Sequence, residues 1–524
     1  MKTLWNQYEQ AHAPGVASDP WRLRYHLMPP VGWLNDPNGL CEKDGVTHIF
    51  YQYSPLEPAG GQKGWGHYTT TDWKTFESCP IELVPDSPLD KDGVYSGSAF
   101  VKDDTIHFFY TGNIKEEGDF DYIYEGRGHY VNTFTSGDGL TFSEKRNVLK
   151  NEDYPQDLSC HVRDPKIFEE NGVYYMVLGA RTRNDVGQIL VYRSDDLAQW
   201  SFHGRLESET PFGYMWECPD LFELDGQKVL MTCPQGVEQD GYRFENVYQN
   251  GYFLVDGALD EDPALSSFAE FDHGFDFYAP QTYLDAKGRR ILIGWMGIPD
   301  AEYSNPTVAN GWQHALTLPR ALWLEDGRLH QFPIEEVLDL KRTERSQKLQ
   351  AGEAADIGTP CFHATLTPLS DSFHIRLRED CKIEYANGLL TFSLKQSGYG
   401  RDARHIEVGQ IETIDVFSDT SSVEIFLNGG QYALTSRIYD NMESNKIVSD
   451  GPMELVVRAM DAYRVRKEKR NKSDENFVYW RQQHVGVRSE YGIAARKPLD
   501  APADGAAAAG RDHRGRDERT HVRL

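Results

Sequence analysis

Asn35-Asp36-Pro37-Asn38-Gly39-Leu40, followed by the apolar, turn-bounded stretch 45–53, is the first of five cycles of one pattern. Ser96-Gly97-Ser98-Ala99-Phe100 precedes 104–110, and Arg163-Asp164-Pro165-Lys166-Ile167-Phe168 precedes 172–178. Glu217-Cys218-Pro219-Asp220-Leu221-Phe222 precedes 226–232, and Tyr278-Ala279-Pro280-Gln281-Thr282-Tyr283 precedes 288–295. Each second member is short, apolar and bounded by turn residues, which reads as a β-strand. Successive cycles start roughly 55–70 residues apart, a little above the period of four-stranded propeller blades. Asp72-Trp73-Lys74-Thr75-Phe76, Asp138-Gly139-Leu140-Thr141-Phe142 and Asp196-Leu197-Ala198-Gln199-Trp200 form a third echo in three of the cycles. The pattern predicts an all-β chain opening with a five-bladed β-propeller. In a propeller the first strand of every blade lines one central channel, so equivalent positions of the five inner segments converge there.

Working outward, residues 1–23 precede the repeat as an N-terminal extension, and the propeller is expected over 24–335. A short helical pattern at 334–340 opens a linker over 336–349. Strand patterns return at 388–394, 413–417, 423–427 and 432–438, and the turn Asn428-Gly429-Gly430 between two of them is a hairpin signal. They predict a C-terminal β-sandwich over 350–463. Residues 464–524 turn basic and poor in apolar side chains, which predicts a disordered tail with a short helix in its first part as an alternative.

Composition narrows the function. The 524 residues carry 54 Lys+Arg against 81 Asp+Glu, a net charge of −27, and nucleic-acid binding needs the opposite sign. The acidity belongs to residues 1–463, with 39 basic and 72 acidic side chains, whereas 464–524 hold 15 and 9. No apolar run approaches the roughly 18 residues of a membrane-spanning helix. Seven cysteines without a C-x-x-C pair read as reduced thiols, neither a disulfide framework nor a zinc site. The N-terminus lacks the apolar core of a signal peptide, so a cytoplasmic location is expected. Expected partners are a small sugar substrate alone, without nucleic acid or membrane; a homodimer stays open. Neither a metal nor another cofactor is required.

Three inner segments carry an acid at or beside one position: Asp36 before Pro37, Asp164 before Pro165, and Glu217 two residues before Pro219. Three carboxylates converging on one channel mouth repel one another and are partly desolvated, which raises at least one pKa. Glycoside hydrolysis uses such a set: one carboxylate attacks the anomeric carbon and a protonated one donates to the leaving oxygen.

Trp33-Leu34-Asn35-Asp36-Pro37-Asn38-Gly39, Arg163-Asp164-Pro165 and Glu217-Cys218-Pro219 resemble the three signature motifs of glycoside hydrolase family 32, the invertases, sucrose-6-phosphate hydrolases and fructanases. Phe50-Tyr51-Gln52-Tyr53, Trp65-Gly66-His67, Ser96-Gly97-Ser98-Ala99, Phe277-Tyr278-Ala279-Pro280-Gln281 and Gly294-Trp295-Met296 extend the likeness, as does Ser421-Ser422-Val423-Glu424-Ile425-Phe426 in the second domain. The resemblance implies a retaining β-fructofuranosidase with Asp36 as nucleophile, Glu217 as general acid/base and Asp164 as transition-state stabiliser. It implies fructose contacts from Asn35, Gln52, Trp65, Ser98, Arg163 and Tyr278, with Trp65 and Trp295 against the sugar's apolar face. Asp36 has to be ionised and Glu217 protonated, so the two are expected to titrate apart. One departure is the loop Pro58-Ala59-Gly60-Gly61-Gln62-Lys63, where relatives often carry a Met-His pair; it bears on leaving-group contacts.

Sucrose and sucrose 6-phosphate are the leading substrates, with fructo-oligosaccharide hydrolysis or fructosyl transfer as alternatives and a non-catalytic fructan-binding propeller as the alternative of another class. A sugar phosphate needs a local basic cluster in this acidic body, for which Arg127, His129, Arg181 and Arg183 are the candidates.

Overall fold

The computed structural model describes residues 1–261, 263–441 and 445–467. The five cycles form five separate antiparallel sheets. Blade I comprises Gly32–Lys43, Val46–Ser54, Gly64–Thr70 and Thr75–Ser78; blade II comprises Gly93–Lys102, Thr105–Lys115, Arg127–Ser136 and Arg146–Leu149. Blade III is Leu158–Glu170, Val173–Thr182, Gly187–Ser194 and Ser201–Leu206. Blade IV is Met215–Leu224, Gln227–Gln235 and Gly251–Asp256, edged by the short Ala264–Leu265 and Ala269–Glu270. Blade V is Tyr278–Leu284, Arg290–Met296, Arg320–Glu325 and Arg328–Pro333. Trp312–Gln313 adds to blade I in parallel, pairing with Gly32 and Trp33, so the chain after blade V's second strand closes the ring.

The repeat is chemical as well as topological. In blades I to III the third echo is one turn made three times: Asp72, Asp138 and Asp196 each accept two backbone N–H groups, and Thr70, Ser136 and Ser194 each accept two more. Short side chains that bond locally to the backbone are suited to such turns.

Every inner strand is bulged where the sequence cycle carries its signature: between Leu34 and Pro37, Val94 and Gly97, Glu217 and Asp220, Tyr278 and Gln281, and opposite Val177–Gly179 at Arg163–Lys166. Four of these strands hold a proline, which donates no ladder hydrogen bond and is accommodated at a bulge. The residue before three of the prolines, Asp164, Cys218 and Ala279, sits at positive φ of 64°, 49° and 48°. Each bulge re-aims its side chain toward the channel. Bonds between blades fix the inner strands: Gly97 N–H to Asn38 Oδ1 (3.1 Å), Ser98 Oγ to the Pro165 carbonyl (2.7 Å), Asp164 N–H to Thr111 Oγ1 (2.9 Å), and Gln281 Nε2 across to the Gly97 carbonyl (2.9 Å).

Two six-stranded antiparallel sheets follow. One contains Lys341–Leu349, Met453–Met460, Phe362–Pro368, Ile414–Asp419, Ser422–Leu427 and Tyr432–Arg437; the other contains Ala354–Asp356, Lys446–Ser449, Phe373–Leu377, Cys381–Ala386, Leu389–Ser393 and Ala403–Glu407. Leu366, Ile383, Leu390, Val416 and Ile425 pack between them. At Asn428-Gly429-Gly430 three consecutive positive φ angles turn the hairpin. The sandwich is tied to the propeller by Arg320 of blade V, fully buried, whose guanidinium bonds Glu424 on the sandwich and Asp272 (3.0 Å); Asp272 in turn accepts from Thr435. His26 bridges Asp419 and Glu424 at 2.8 and 2.9 Å, and Arg401 forks Asp276.

Three segments differ from the sequence expectation. The extension 1–23 contains the helix Lys2–Val16, whose Trp5 is buried and whose Glu9 accepts from Tyr53 Oη at 3.0 Å. Most of the stretch read as a linker over 336–349 is the strand Lys341–Leu349; only Glu335–Leu338 is helical. Its side chains up to Lys348 are exposed, so backbone pairing to Met453–Met460 holds this charged edge strand without any apolar alternation to signal it. Arg464–Lys467, read as the start of a tail, is a strand running parallel to Thr75–Ser78 of blade I. The rest of that tail, 468–524, lies outside the described residues. The seven cysteines are free thiols, six of them buried, and no helix among the described residues is long and apolar enough to cross a membrane.

Candidate active site

Asp36, Asp164 and Glu217 meet where the bulges of blades I, III and IV face the channel, and Cys218 joins them. Its N–H donates to Asp164 Oδ2 at 2.9 Å, its Sγ lies 3.8 Å from Asp36 Oδ2, and the residue before it in sequence is Glu217. Asp36 also accepts from Ser96 Oγ and from Asn35 Nδ2 (3.1 Å). Asn35 donates to Gln52 Oε1 (2.8 Å) and accepts from Trp33 Nε1 (2.7 Å), while Gln52 Nε2 donates to Ser96 Oγ (2.9 Å). This connected network orients the Asp36 carboxylate from behind.

Glu217 is held on both oxygens. Arg163 bonds Oε1 through Nε (3.1 Å) and Nη2, and Oε2 accepts from Gln235 Nε2 (2.7 Å) and Tyr278 Oη (2.7 Å). Arg163 Nε also lies 3.9 Å from Asp164 Oδ2, so one guanidinium stands between two of the acids.

Burial raises the Asp36 carboxyl above the ordinary carboxylate range, and the bonds from Ser96 and Asn35 oppose it. Burial likewise pushes Asp164 up to about 7, reinforced by the Glu217 and Asp36 charges and opposed by Arg163. A third participant is Lys63, whose Nζ stands 4.5 Å from the centre of the Trp33 ring. Burial pushes this amine down to about 7, against the attraction of Asp36 and Glu57. In the free protein Asp36 therefore depends on its hydrogen-bond donors and on Lys63 for its charge.

The structure brings Asn35, Gln52, Arg163 and Tyr278 to the acids, as the sequence predicts. Trp65 is placed elsewhere: at 1% exposure it packs among Phe50, Phe108, Tyr110 and Phe134 between blades I and II, with Nε1 bonded to the Tyr95 carbonyl (3.1 Å), so it presents no face to a sugar. Ser98 is also displaced, since its hydroxyl serves the Pro165 carbonyl and the serine at Asp36 is Ser96. The bulge between Val94 and Gly97 decides which serine of Ser-Gly-Ser faces the channel, and nothing in the sequence locates that bulge. Trp295 is 3% exposed and packs edge-on against His314 and Tyr278, while the half-buried Trp33 packs against both His314 and Trp295. Sequence reasoning missed Gln235; its signal was its place at the end of the strand paired with Met215-Trp216-Glu217.

Known proteins share this architecture along nearly the whole described chain. Residues 26–333 match the model of the glycosyl hydrolases family 32 N-terminal domain, and 346–457 match the family 32 C-terminal model. A sucrose-6-phosphate hydrolase of Bacillus subtilis is 41% identical over 444 residues, 81% of this chain and 90% of that protein. A raffinose invertase of Escherichia coli is 36% identical over 449 residues, 82% and 91% of the two chains. Among solved structures, the sucrose-6-phosphate hydrolase of Lactobacillus gasseri superposes with a TM-score of 0.80 at 28% identity, covering 87% of this chain and 96% of that one. A Bombyx mori GH32 beta-fructofuranosidase mutant in complex with sucrose gives 0.77 at 29% identity, covering 88% and 99%. With its five blades, its sandwich and its three bulge-borne acids in the same chain, this protein belongs to family 32 of the glycosyl hydrolases and is a glycoside hydrolase.

Proposed function

We propose that the protein hydrolyses terminal non-reducing β-D-fructofuranosides of the sucrose type with retention of configuration, through a covalent fructosyl-enzyme. The observation that carries the reading is the seating of Asp36, Asp164 and Glu217 around Cys218. Asp36, backed by Asn35 and Ser96, attacks the anomeric carbon and forms the ester bond as the glycosidic C–O bond breaks. Glu217, held by Arg163, Gln235 and Tyr278, gives its proton to the departing oxygen and then takes one from the water that cleaves the ester. Asp164 faces the same fructosyl unit and pairs with hydroxyls whose contacts tighten as the ring gains positive charge. Sucrose and sucrose 6-phosphate fit the activities named for the relatives, and the seven free thiols support a reducing compartment, the cytoplasm.

The test is fructose release from sucrose and sucrose 6-phosphate by Asp36→Asn and Glu217→Gln, with circular dichroism as the control for folding. Each is expected to lose at least about 10³-fold in kcat while keeping the fold. Turnover like that of the unmodified enzyme in either variant overturns the assignment.

A further inference from the structure

Among the described residues four arginines are buried, at 1% exposure or less, and three of them meet a carboxylate. Arg320 pairs with Asp272 and Glu424, Arg378 with Asp440, and Arg401 with Asp276. Arg437, the last residue of the sandwich strand Tyr432–Arg437, has no carboxylate within salt-bridge distance of its guanidinium among the described residues. Its Nε and Nη2 donate to the carbonyl and the hydroxyl of Ser421, both at 2.8 Å, while its Nη1 has no acceptor there. The rings of Trp312 and Tyr439 each lie 5.3 Å from its Cζ, and aromatic faces offset only part of what a cation loses on leaving water.

Two further groups beside Arg437 are unmet among the described residues. Thr307, in the turn Pro306–Asn310, borders Tyr439 and is fully buried with no partner for its Oγ1; His314, 3% exposed, has none at either ring nitrogen. Burial, then the charges of Arg437, Arg401 and Lys63, push His314 well below its ordinary range, so its ring is neutral. Arg22, 4.7 Å from the centre of the Trp312 ring, adds a cation on which the Arg437 charge also acts. Asp19, the acid that acts on Arg22, is engaged by Trp312 Nε1 (2.6 Å) and Asn310 Nδ2 (3.0 Å). A guanidinium N–H, a hydroxyl and a neutral imidazole each have a hydrogen to give, and buried polar atoms are nearly always satisfied. Donors in excess around an uncompensated positive charge call for an anion; a water would satisfy the donors and leave the charge.

We propose that a small monovalent anion of the chloride class binds at this junction, held by Arg437 Nη1, Thr307 Oγ1 and a ring N–H of His314. Side chains buried this completely admit an ion about the size of a water molecule and exclude a sugar or a phosphate ester. The ion joins the two domains. Arg437 belongs to the sandwich, whereas Thr307 and His314 flank Trp312–Gln313, the short strand that closes the propeller ring on Gly32 and Trp33. It also acts toward the catalytic end, because the His314 ring stands edge-on 4.4 Å from Trp33, whose Nε1 holds Asn35 beside Asp36. The site touches no part of the substrate and is independent of the hydrolase reading above.

The experiment compares thermal unfolding of the full chain in sodium chloride and in sodium gluconate at one ionic strength, and locates bromide in soaked crystals by its anomalous scattering. Chloride is expected to raise the melting temperature by about 3–5 °C and to saturate, as mass action requires of an ion bound by the folded state alone. A bromide peak is expected beside Arg437 Nη1. Arg437→Met removes the charge and is expected to abolish the chloride effect. Thr307→Val keeps the charge and removes one donor; it is expected to raise the half-saturating chloride concentration about tenfold, the range of one hydrogen bond to an ion, and it serves should Arg437→Met fail to fold. A shift that grows without saturating, one equally large in gluconate, one unchanged in both variants, or crystals with no bromide at Arg437 overturns the site.

Discussion

Cys218 and Asp164 are joined by a 2.9 Å bond from the backbone N–H of one to Oδ2 of the other, made by a residue at φ 49° inside a strand. The bulge that creates this conformation also directs the Cys218 thiol at Asp36, 3.8 Å away. Burial, with the Asp164 and Asp36 charges adding to it, raises the thiol well above its ordinary pKa, so it is a weak neutral donor. Cys218→Ala keeps the N–H and removes the thiol; kcat/KM is expected to fall only about threefold to tenfold. A loss near 10³-fold in steady-state kinetics would show that the thiol itself carries chemistry.

Asp164 sets activity against stability. Its carboxyl is pushed up to about 7 in the folded protein by burial, whereas in the unfolded chain it titrates at about 3.9. A carboxyl with a raised folded value favours folding fully only below the unfolded value, and that contribution drains away as pH rises to about 7. Asp164→Asn is therefore expected to stabilise the fold by roughly 2–4 kcal/mol at pH 8 and hardly at all at pH 4, while abolishing hydrolysis. Urea unfolding of both proteins at the two pH values checks it; an equal effect at both excludes the titration as cause.

Lys63 gives the alkaline side of the pH profile a structural origin. Its amine, pushed down to about 7 by burial against Trp33, is charged below that pH and neutral above it. Its charge helps keep Asp36 ionised, so that help is present at pH 6 and lost by pH 8. Lys63→Met is expected to lower kcat/KM severalfold at pH 6 and little at pH 8. A uniform loss across the range would point to packing instead.

Tyr278 is a positioning residue, acting through Glu217. Tyr278→Phe removes its 2.7 Å bond to Oε2 while Gln235 and Arg163 remain. A drop in kcat of about tenfold with KM nearly constant is expected on sucrose, together with a displaced pH–rate profile. A change confined to KM would place the phenol against substrate.

Arg320 is the rivet between propeller and sandwich. Arg320→Met would leave Glu424 and Asp272 buried without their cation, and breaking such a pair by removing one partner costs about 3–5 kcal/mol. Glu424 keeps His26, which favours the lower end. Chemical denaturation measures it, and a loss below about 1 kcal/mol would mean the network relaxes.

The fold was legible because propeller blades repeat. The apolar second strands and the Asp-led turns at Asp72, Asp138 and Asp196 recur with few enough variations to be aligned by eye. The acids were legible because each precedes a proline at a bulge, a rare arrangement inside a strand. What stayed hidden depended on geometry that alternation does not encode. Ser96 and Ser98 are interchangeable until the bulge is located, and an indole such as Trp65 reads alike whether it walls a pocket or fills a seam between blades. Lys341–Leu349 shows no apolar face because its order comes from backbone pairing.

The strand Arg464–Lys467 has a practical consequence for anyone shortening this chain. It covers Thr75–Ser78, the outermost strand of blade I, whose backbone donors and acceptors would otherwise stand open. Its Lys467 reaches Glu9 of the N-terminal helix at 3.8 Å. A truncation at Tyr463, the natural place to cut if the sandwich is taken as the last ordered part, would strip that cover and create a bare sheet edge ready to pair with another molecule. Cutting four residues later keeps the edge sealed, and the difference should appear as self-association in one truncated protein and not in the other.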